Sequence, residues 1–208
     1  MAWQGSLFGD APSAPGRPSD PLGFPALQRH DLGDRSWIDE VPHWVPDHAD
    51  LFDWLLAHAP WQQRTRKMWD ATVLEPRLVA SWGTGDTVPD RIAALVGPLD
   101  ERYGVHFDSC LVNLYRDGTD AVAWHADTVR KVLRDPLVAT VSLGVRRPFL
   151  VRPAGGGAVV RRFAPGEGDL LVMGGACQHA FVHTVPRVRS VCGARMSITL
   201  RHSAPLPT

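Results

Sequence analysis

The 208-residue chain balances 22 Lys+Arg against 22 Asp+Glu, and a formal net charge of zero argues against a protein that grips nucleic acid tightly and non-specifically. The zero is a cancellation, since residues 1–104 hold 9 basic and 15 acidic side chains while residues 105–208 hold 13 and 7. Such asymmetry points to an anionic partner, and 20 of the 22 bases are Arg, whose planar fork suits carboxylate and phosphate.

Between Pro12 and Pro25 lie five prolines with Gly16 and Gly23 among them, so residues 1 to about 35 are expected to be a disordered Pro/Gly-rich tail. Leu51, Trp54, Leu55 and His58 then fall at helical spacing between Pro46-Asp47 and Pro60. A second helix is expected after Val88-Pro89-Asp90, carrying Ile92, Leu95, Val96 and Leu99 and interrupted at Gly97-Pro98. From Ser109 onward the texture is short β-rich runs between Gly/Pro/Asp turns. They are Cys110–Tyr115, Ala121–His125, Val138–Leu143, Phe149–Arg152, Val159–Phe163, Asp169–Met173, Phe181–Val185 and Arg195–Arg201. Eight such strands without intervening helices predict a mainly β protein with flanking helices, a sandwich or barrel. Cys110, Cys177 and Cys192 have no C-x-x-C spacing, which suggests neither a disulfide framework nor a cysteine zinc site. The start lacks a signal-peptide pattern and no apolar run approaches roughly 18 residues, so a cytoplasmic protein without a membrane partner is expected.

The chemistry concentrates in the β half. In Trp124-His125-Ala126-Asp127 an imidazole and a carboxylate stand two residues apart, so strand alternation turns both to one interior. A metal needs a further ligand, and His179 and His183 are available; His183 lies inside an expected strand and is preferred over His179 in a turn. Two histidines and one carboxylate leave open positions on an octahedral ion, the arrangement of non-haem Fe(II) oxygenases. In Arg195–Arg201, alternation sets Arg195, Ser197, Thr199 and Arg201 on one face and Met196, Ile198 and Leu200 on the other. Two inward arginines, roughly 20 Å apart on an extended strand, are costly unless an anion meets them. A small dicarboxylate held between them, one end shared with a metal, would satisfy both.

The set Asn113-Leu114-Tyr115, His125-x-Asp127, His183 and Arg195-x-Ser197-x-Thr199-x-Arg201 resembles the AlkB family of Fe(II)- and 2-oxoglutarate-dependent dioxygenases. Upstream, Pro60–Thr65 and Pro76–Gly83 resemble that family's nucleotide-recognition lid, here about 60–85, within a domain spanning 36–208. The resemblance implies a double-stranded β-helix (jelly-roll) core. It implies His125, Asp127 and His183 as iron ligands, and Fe(II), 2-oxoglutarate and O2 as cofactor and cosubstrates. Arg201 and Asn113 would hold the C1 carboxylate of 2-oxoglutarate; Arg195, Tyr115 and Ser197 would hold the C5 carboxylate, with Ser197 where the family more often has Asn.

The implied activity is oxidative dealkylation of N-alkylated bases in nucleic acid, with DNA repair as the expected role and a single strand as the expected substrate. Trp69 and Trp82 are candidate stacking platforms for an extruded base. Arg64, Arg66, Lys67 and Arg77, and beyond the iron ligands Arg130, Lys131 and Arg134, could meet phosphates. One departure is Val129, where repair members carry an acidic residue two positions after the ligand Asp. It favours an alternative in which the same oxygenase chemistry acts on a protein or small molecule. A non-enzymatic metal-binding barrel would leave the Arg195/Arg201 pair without purpose. In the tail, Gln4, Leu7 and Phe8 match the Q-x-x-L-F pattern of bacterial sliding-clamp-binding peptides, making the clamp a candidate partner.

Overall fold

The same alternation that sorts Arg195–Arg201 into two faces builds the molecule in layers. The computed structural model describes residues 22–68, 71–82, 86–129, 133–190 and 193–202, without the side chains of 66–68 and 71–73. Gln4, Leu7, Phe8, Trp69, Arg130 and Lys131, named above for function, lie outside the described residues, and the side chains of Arg66 and Lys67 are not described.

In chain order the elements are β1 (Gln28–Gly33), β2 (Ser36–Val41), α1 (His48–His58), β3 (Thr65–Met68), β4 (Ala71–Leu74), β5 (Leu78–Trp82) and α2 (Asp90–Tyr103). They continue with β6 (Ser109–Tyr115), β7 (Val122–His125), β8 (Val138–Gly144), β9 (Phe149–Pro153), β10 (Arg161–Phe163), β11 (Asp169–Gly174), α3 (Cys177–Ala180), β12 (Phe181–Val185) and β13 (Arg195–Arg201). A seven-stranded sheet runs β1-β2-β11-β8-β13-β6-β5, a four-stranded sheet runs β10-β9-β12-β7, and β3-β4 forms a separate hairpin. The pairings are antiparallel throughout. This is the jelly-roll arrangement, with two sheets face to face.

One face of the large sheet, with Val112, Leu114, Val141, Leu143, Met196, Ile198 and Leu200, packs on Leu51 and Leu55 of α1 and Ile92, Leu95 and Leu99 of α2. Its other face supplies Ile38, Val138, Leu171 and Met173 to a second cluster with Phe149, Val151, Phe163 and Val185 of the small sheet. Apolar burial on both sides of one sheet is the main stabilisation, at roughly 25 cal/mol per Å². The polar inner face of β13 and β6 is left over at the mouth of the sandwich.

Two expectations are corrected. The tail boundary at residue 35 falls too late, because β1 occupies Gln28–Gly33 and Leu22, Phe24 and Leu27 already pack against the core. Proline spacing masked that strand; its inward contacts come from a partner, β2, that reads as a strand only beside β11. The interruption at Gly97-Pro98 does not occur either: α2 runs unbroken through Pro98. Ile92, Leu95 and Leu99 straddle the proline on one buried face, and that burial outweighs the hydrogen bond Pro98 removes. Among the described residues no helix is long and apolar enough to cross a membrane.

Candidate active site

Antiparallel register is what assembles the centre. β12 lies beside β7 with His183 directly opposite His125, so the two imidazoles become cross-strand neighbours with ring centroids 4.3 Å apart. β7 ends at His125, and Asp127 follows in the loop beyond it rather than on the strand, still turned inward and buried. One ligand atom each from His125, Asp127 and His183 lie within 4.8 Å of one another. His179, the other candidate, faces away and its Nε2 lies 3.1 Å from the Leu133 carbonyl.

Local contacts prepare all three groups. His125 Nδ1 lies 2.8 Å from the Ala123 carbonyl, which can only accept, so Nδ1 is the donor and the ring is oriented by that bond. Phe149 stacks on His183 at 5.0 Å, and burial, against the opposing pull of Asp127, pushes the His183 imidazolium down to about 4, leaving the ring neutral near pH 7. Burial works against the Asp127 carboxylate, but His183 and Arg201 outweigh it and hold the group below the usual carboxylate range. Arg201 donates to Asp127 Oδ1 through Nη2 at 2.6 Å and Nε at 3.1 Å. Arg201 therefore braces an iron-ligand candidate directly, a contact the C1-carboxylate role did not include.

The pocket continues along β13 and β6. Arg195 stands opposite Tyr115 and Ser197 opposite Asn113. A cavity of about 180 Å³ is lined by these four, Thr199, Arg201 and the three metal-ligand candidates. Arg195 is fully buried; its Nη2 donates to Ser142 Oγ at 2.7 Å, while Nη1 has no partner. Burial lowers its pKa to about 10, so it remains a cation at neutral pH. A buried guanidinium with an idle donor is costly unless an anion enters. Gly144 allows this crowding: it pairs with Arg195 at φ 76°, and a Cβ there would meet the Ala194 carbonyl at 2.4 Å.

Several residues read for substrate sit elsewhere. Arg77 is not a free phosphate ligand: it is largely buried, donates Nε to Asn113 Oδ1 at 2.9 Å and pairs with Glu75 at 3.0 Å. Trp82 packs against the helix-side core and is not among the residues lining that cavity or the wider one beyond His125. Arg64 is exposed and donates to Ser81 Oγ, and Arg134 is exposed beside Asp135. Val129 turns into the second core cluster. A wider cavity of about 430 Å³ opens on the far side of His125, between Leu74–Arg77 and the β7–β12 edge, lined by Trp124, Thr184 and Arg187.

Two residues had no sequence signal. Arg147, buried, donates to the carbonyls of Asp117, Asp120 and Pro186, tying together the loops beside β7 and β12. Gln178 on α3 accepts from the Asp127 backbone N–H at 2.8 Å. A lone Arg or Gln in a turn carries no periodicity that could have marked either.

Residues 48–201 match the family model of the 2OG-Fe(II) oxygenase superfamily. The chain belongs to this superfamily. Curated relatives within it carry AlkB names: the chain is 34% identical over 179 residues to the alpha-ketoglutarate-dependent dioxygenase alkB homolog 3 of Homo sapiens, covering 74% of this chain and 63% of the relative. The Bos taurus homolog 3 is 33% identical, with 76% and 62% covered. The DNA oxidative demethylase ALKBH2 of Arabidopsis thaliana is 28% identical, with 85% and 69% covered. The chain thus spans somewhat under two thirds of the homolog 3 proteins it matches. A solved structure of OsALKBH1 shares the fold, with TM-score 0.64, 15% identity and coverage of 85% of this chain and 99% of that one. The superfamily's cofactor and cosubstrates are Fe(II), 2-oxoglutarate and O2, and the residues present fit them. Two imidazoles and a carboxylate are a donor set suited to Fe(II), and Arg195 Nη1, buried with no hydrogen-bond partner among the described residues, is a donor suited to a carboxylate.

Proposed function

We propose that this oxygenase removes N-alkyl groups oxidatively from bases in nucleic acid, using Fe(II), 2-oxoglutarate and O2. The observation that carries the reading is the convergence of His125, Asp127 and His183 in one pocket with the buried Arg195 guanidinium, whose Nη1 has no partner among the described residues. Relatives named as dioxygenase alkB homolog 3 and DNA oxidative demethylase support the substrate class.

When bound, Fe(II) with 2-oxoglutarate supplies the oxidising chemistry. The chain's own residues do the rest. Arg195, Tyr115 and Ser197, which line the same cavity as the metal-ligand candidates, would hold the far carboxylate of 2-oxoglutarate. Arg201 keeps the Asp127 carboxylate aimed, and Phe149 keeps the His183 ring from turning. The wider cavity beyond His125, lined by Trp124 and the His125 ring, would receive the extruded base. An N-methyl carbon hydroxylated there leaves as formaldehyde, and the base is restored. Val129 supplies no carboxylate to that cavity; the acidic group lining it is Glu75, already paired with Arg77.

The test is mass spectrometry of methylated oligonucleotides, single-stranded and duplex and with cationic and neutral lesions, incubated with protein, Fe(II) and 2-oxoglutarate. Loss of one methyl from single strands, absent in Asp127→Ala, is expected. Succinate formed without change in any oligonucleotide would transfer the same chemistry to a protein or small-molecule substrate.

A further inference from the structure

We propose that Gln178 is a positioning residue for the metal centre, setting the place of Asp127 relative to His183. The inference rests on the metal-centre reading above. Asp127 lies two residues past the end of β7, in a loop where no ladder hydrogen bond holds it. Its backbone N–H finds its partner in the Gln178 side chain, 51 residues away, at 2.8 Å. Gln178 is 6% exposed, and its Nε2 faces Met173 Sδ at 3.5 Å, a weak acceptor that leaves Oε1 turned toward Asp127.

Gln178 also stands on α3, the single turn that leads directly into β12 and His183. One amide therefore links the segments bearing two of the three ligand candidates, and it does so without touching the ion. The same turn grips the loop a second time, through His179 Nε2 at the Leu133 carbonyl. The residue that competes with His183 as a ligand in the sequence is thus part of the brace. The carboxylate is fixed from two sides: Arg201 holds its oxygens and Gln178 its backbone. Partners of this kind commonly change metal affinity by roughly 10- to 100-fold when removed.

Full-length protein titrated with Co(II) in the presence of 2-oxoglutarate, followed by the metal's d–d absorption and by calorimetry, provides the test. Gln178→Met keeps the volume and loses the acceptor; Gln178→Glu keeps an acceptor at the same reach. Co(II) affinity falling about tenfold or more in Gln178→Met, with an altered d–d spectrum and near-normal binding in Gln178→Glu, is the expected result. If Gln178→Met fails to fold, Gln178→Asn, one methylene too short, takes its place against Gln178→Glu. Wild-type affinity and spectrum in a folded Met or Asn variant would overturn the proposal. Equal loss in Gln178→Glu would overturn it too, since the acceptor would then not be what matters. Wild-type protein that binds no Co(II) would instead remove the metal-centre reading itself, and this proposal with it.

Discussion

Arg195 concentrates the physics of the site in one side chain. It is buried without an acidic partner, yet it stays charged because its pKa, lowered to about 10, is still well above neutrality. A charge kept in the interior with an idle N–H destabilises the empty protein and is offset only when an anion binds. Arg195→Met is therefore expected to weaken 2-oxoglutarate binding by about 10- to 100-fold, as loss of a charge-assisted hydrogen bond does. The melting temperature of the ligand-free protein should not fall. Calorimetric titration and thermal unfolding check both halves; unchanged 2-oxoglutarate affinity would take Arg195 out of the pocket's function. At this scale residue type and spacing picked out side chains that the fold brings close, His125 and Asp127 near His183, although Asp127 sits in a loop and not on the strand that alternation required. The sequence was not legible where a contact crosses 51 residues, as from Gln178 to Asp127, or where a group's partner decides its use. Arg77 read as a phosphate ligand until Asn113 and Glu75 were found against it.

The eight strands expected from Cys110 onward each find a counterpart, from β6 to β13, because alternation and turn residues repeat there at short intervals. Elements before residue 90 were harder. β1 and β2 are short and polar on one side, and they become a sheet edge only through β11. The β2–β11 junction is also tight: a Cβ on Gly174 would come within 2.2 Å of Trp37, its cross-strand neighbour. Gly174→Ala is expected to cost about 1–3 kcal/mol by overpacking, measured by chemical denaturation. A cost below a few tenths of a kcal/mol would mean that Trp37 has room to move.

At the scale of the whole molecule, zero net charge is distributed rather than absent. Arg29, Arg35, Arg77, Arg116, Arg146 and Arg201 are each paired with an acidic side chain, and Arg147 and Arg195 are buried. Tracking of a phosphate backbone then falls, among the described residues, to exposed bases outside that set such as Arg64, Arg161 and Arg162. Binding of a single-stranded oligonucleotide should therefore depend weakly on salt. The log–log slope is expected to be no steeper than about −3, which corresponds to roughly four phosphates. A slope near −6 would reveal a phosphate-tracking surface that the paired arginines do not provide.

We propose that one pocket couples 2-oxoglutarate oxidation to removal of an alkyl group from a base. Counting succinate formed against bases restored, in the same reaction on a methylated single strand, tests it most directly. One succinate per base restored is expected, with both lost together in Asp127→Ala. Bases restored without succinate, or succinate accumulating at the same rate with and without the methylated strand, would contradict it.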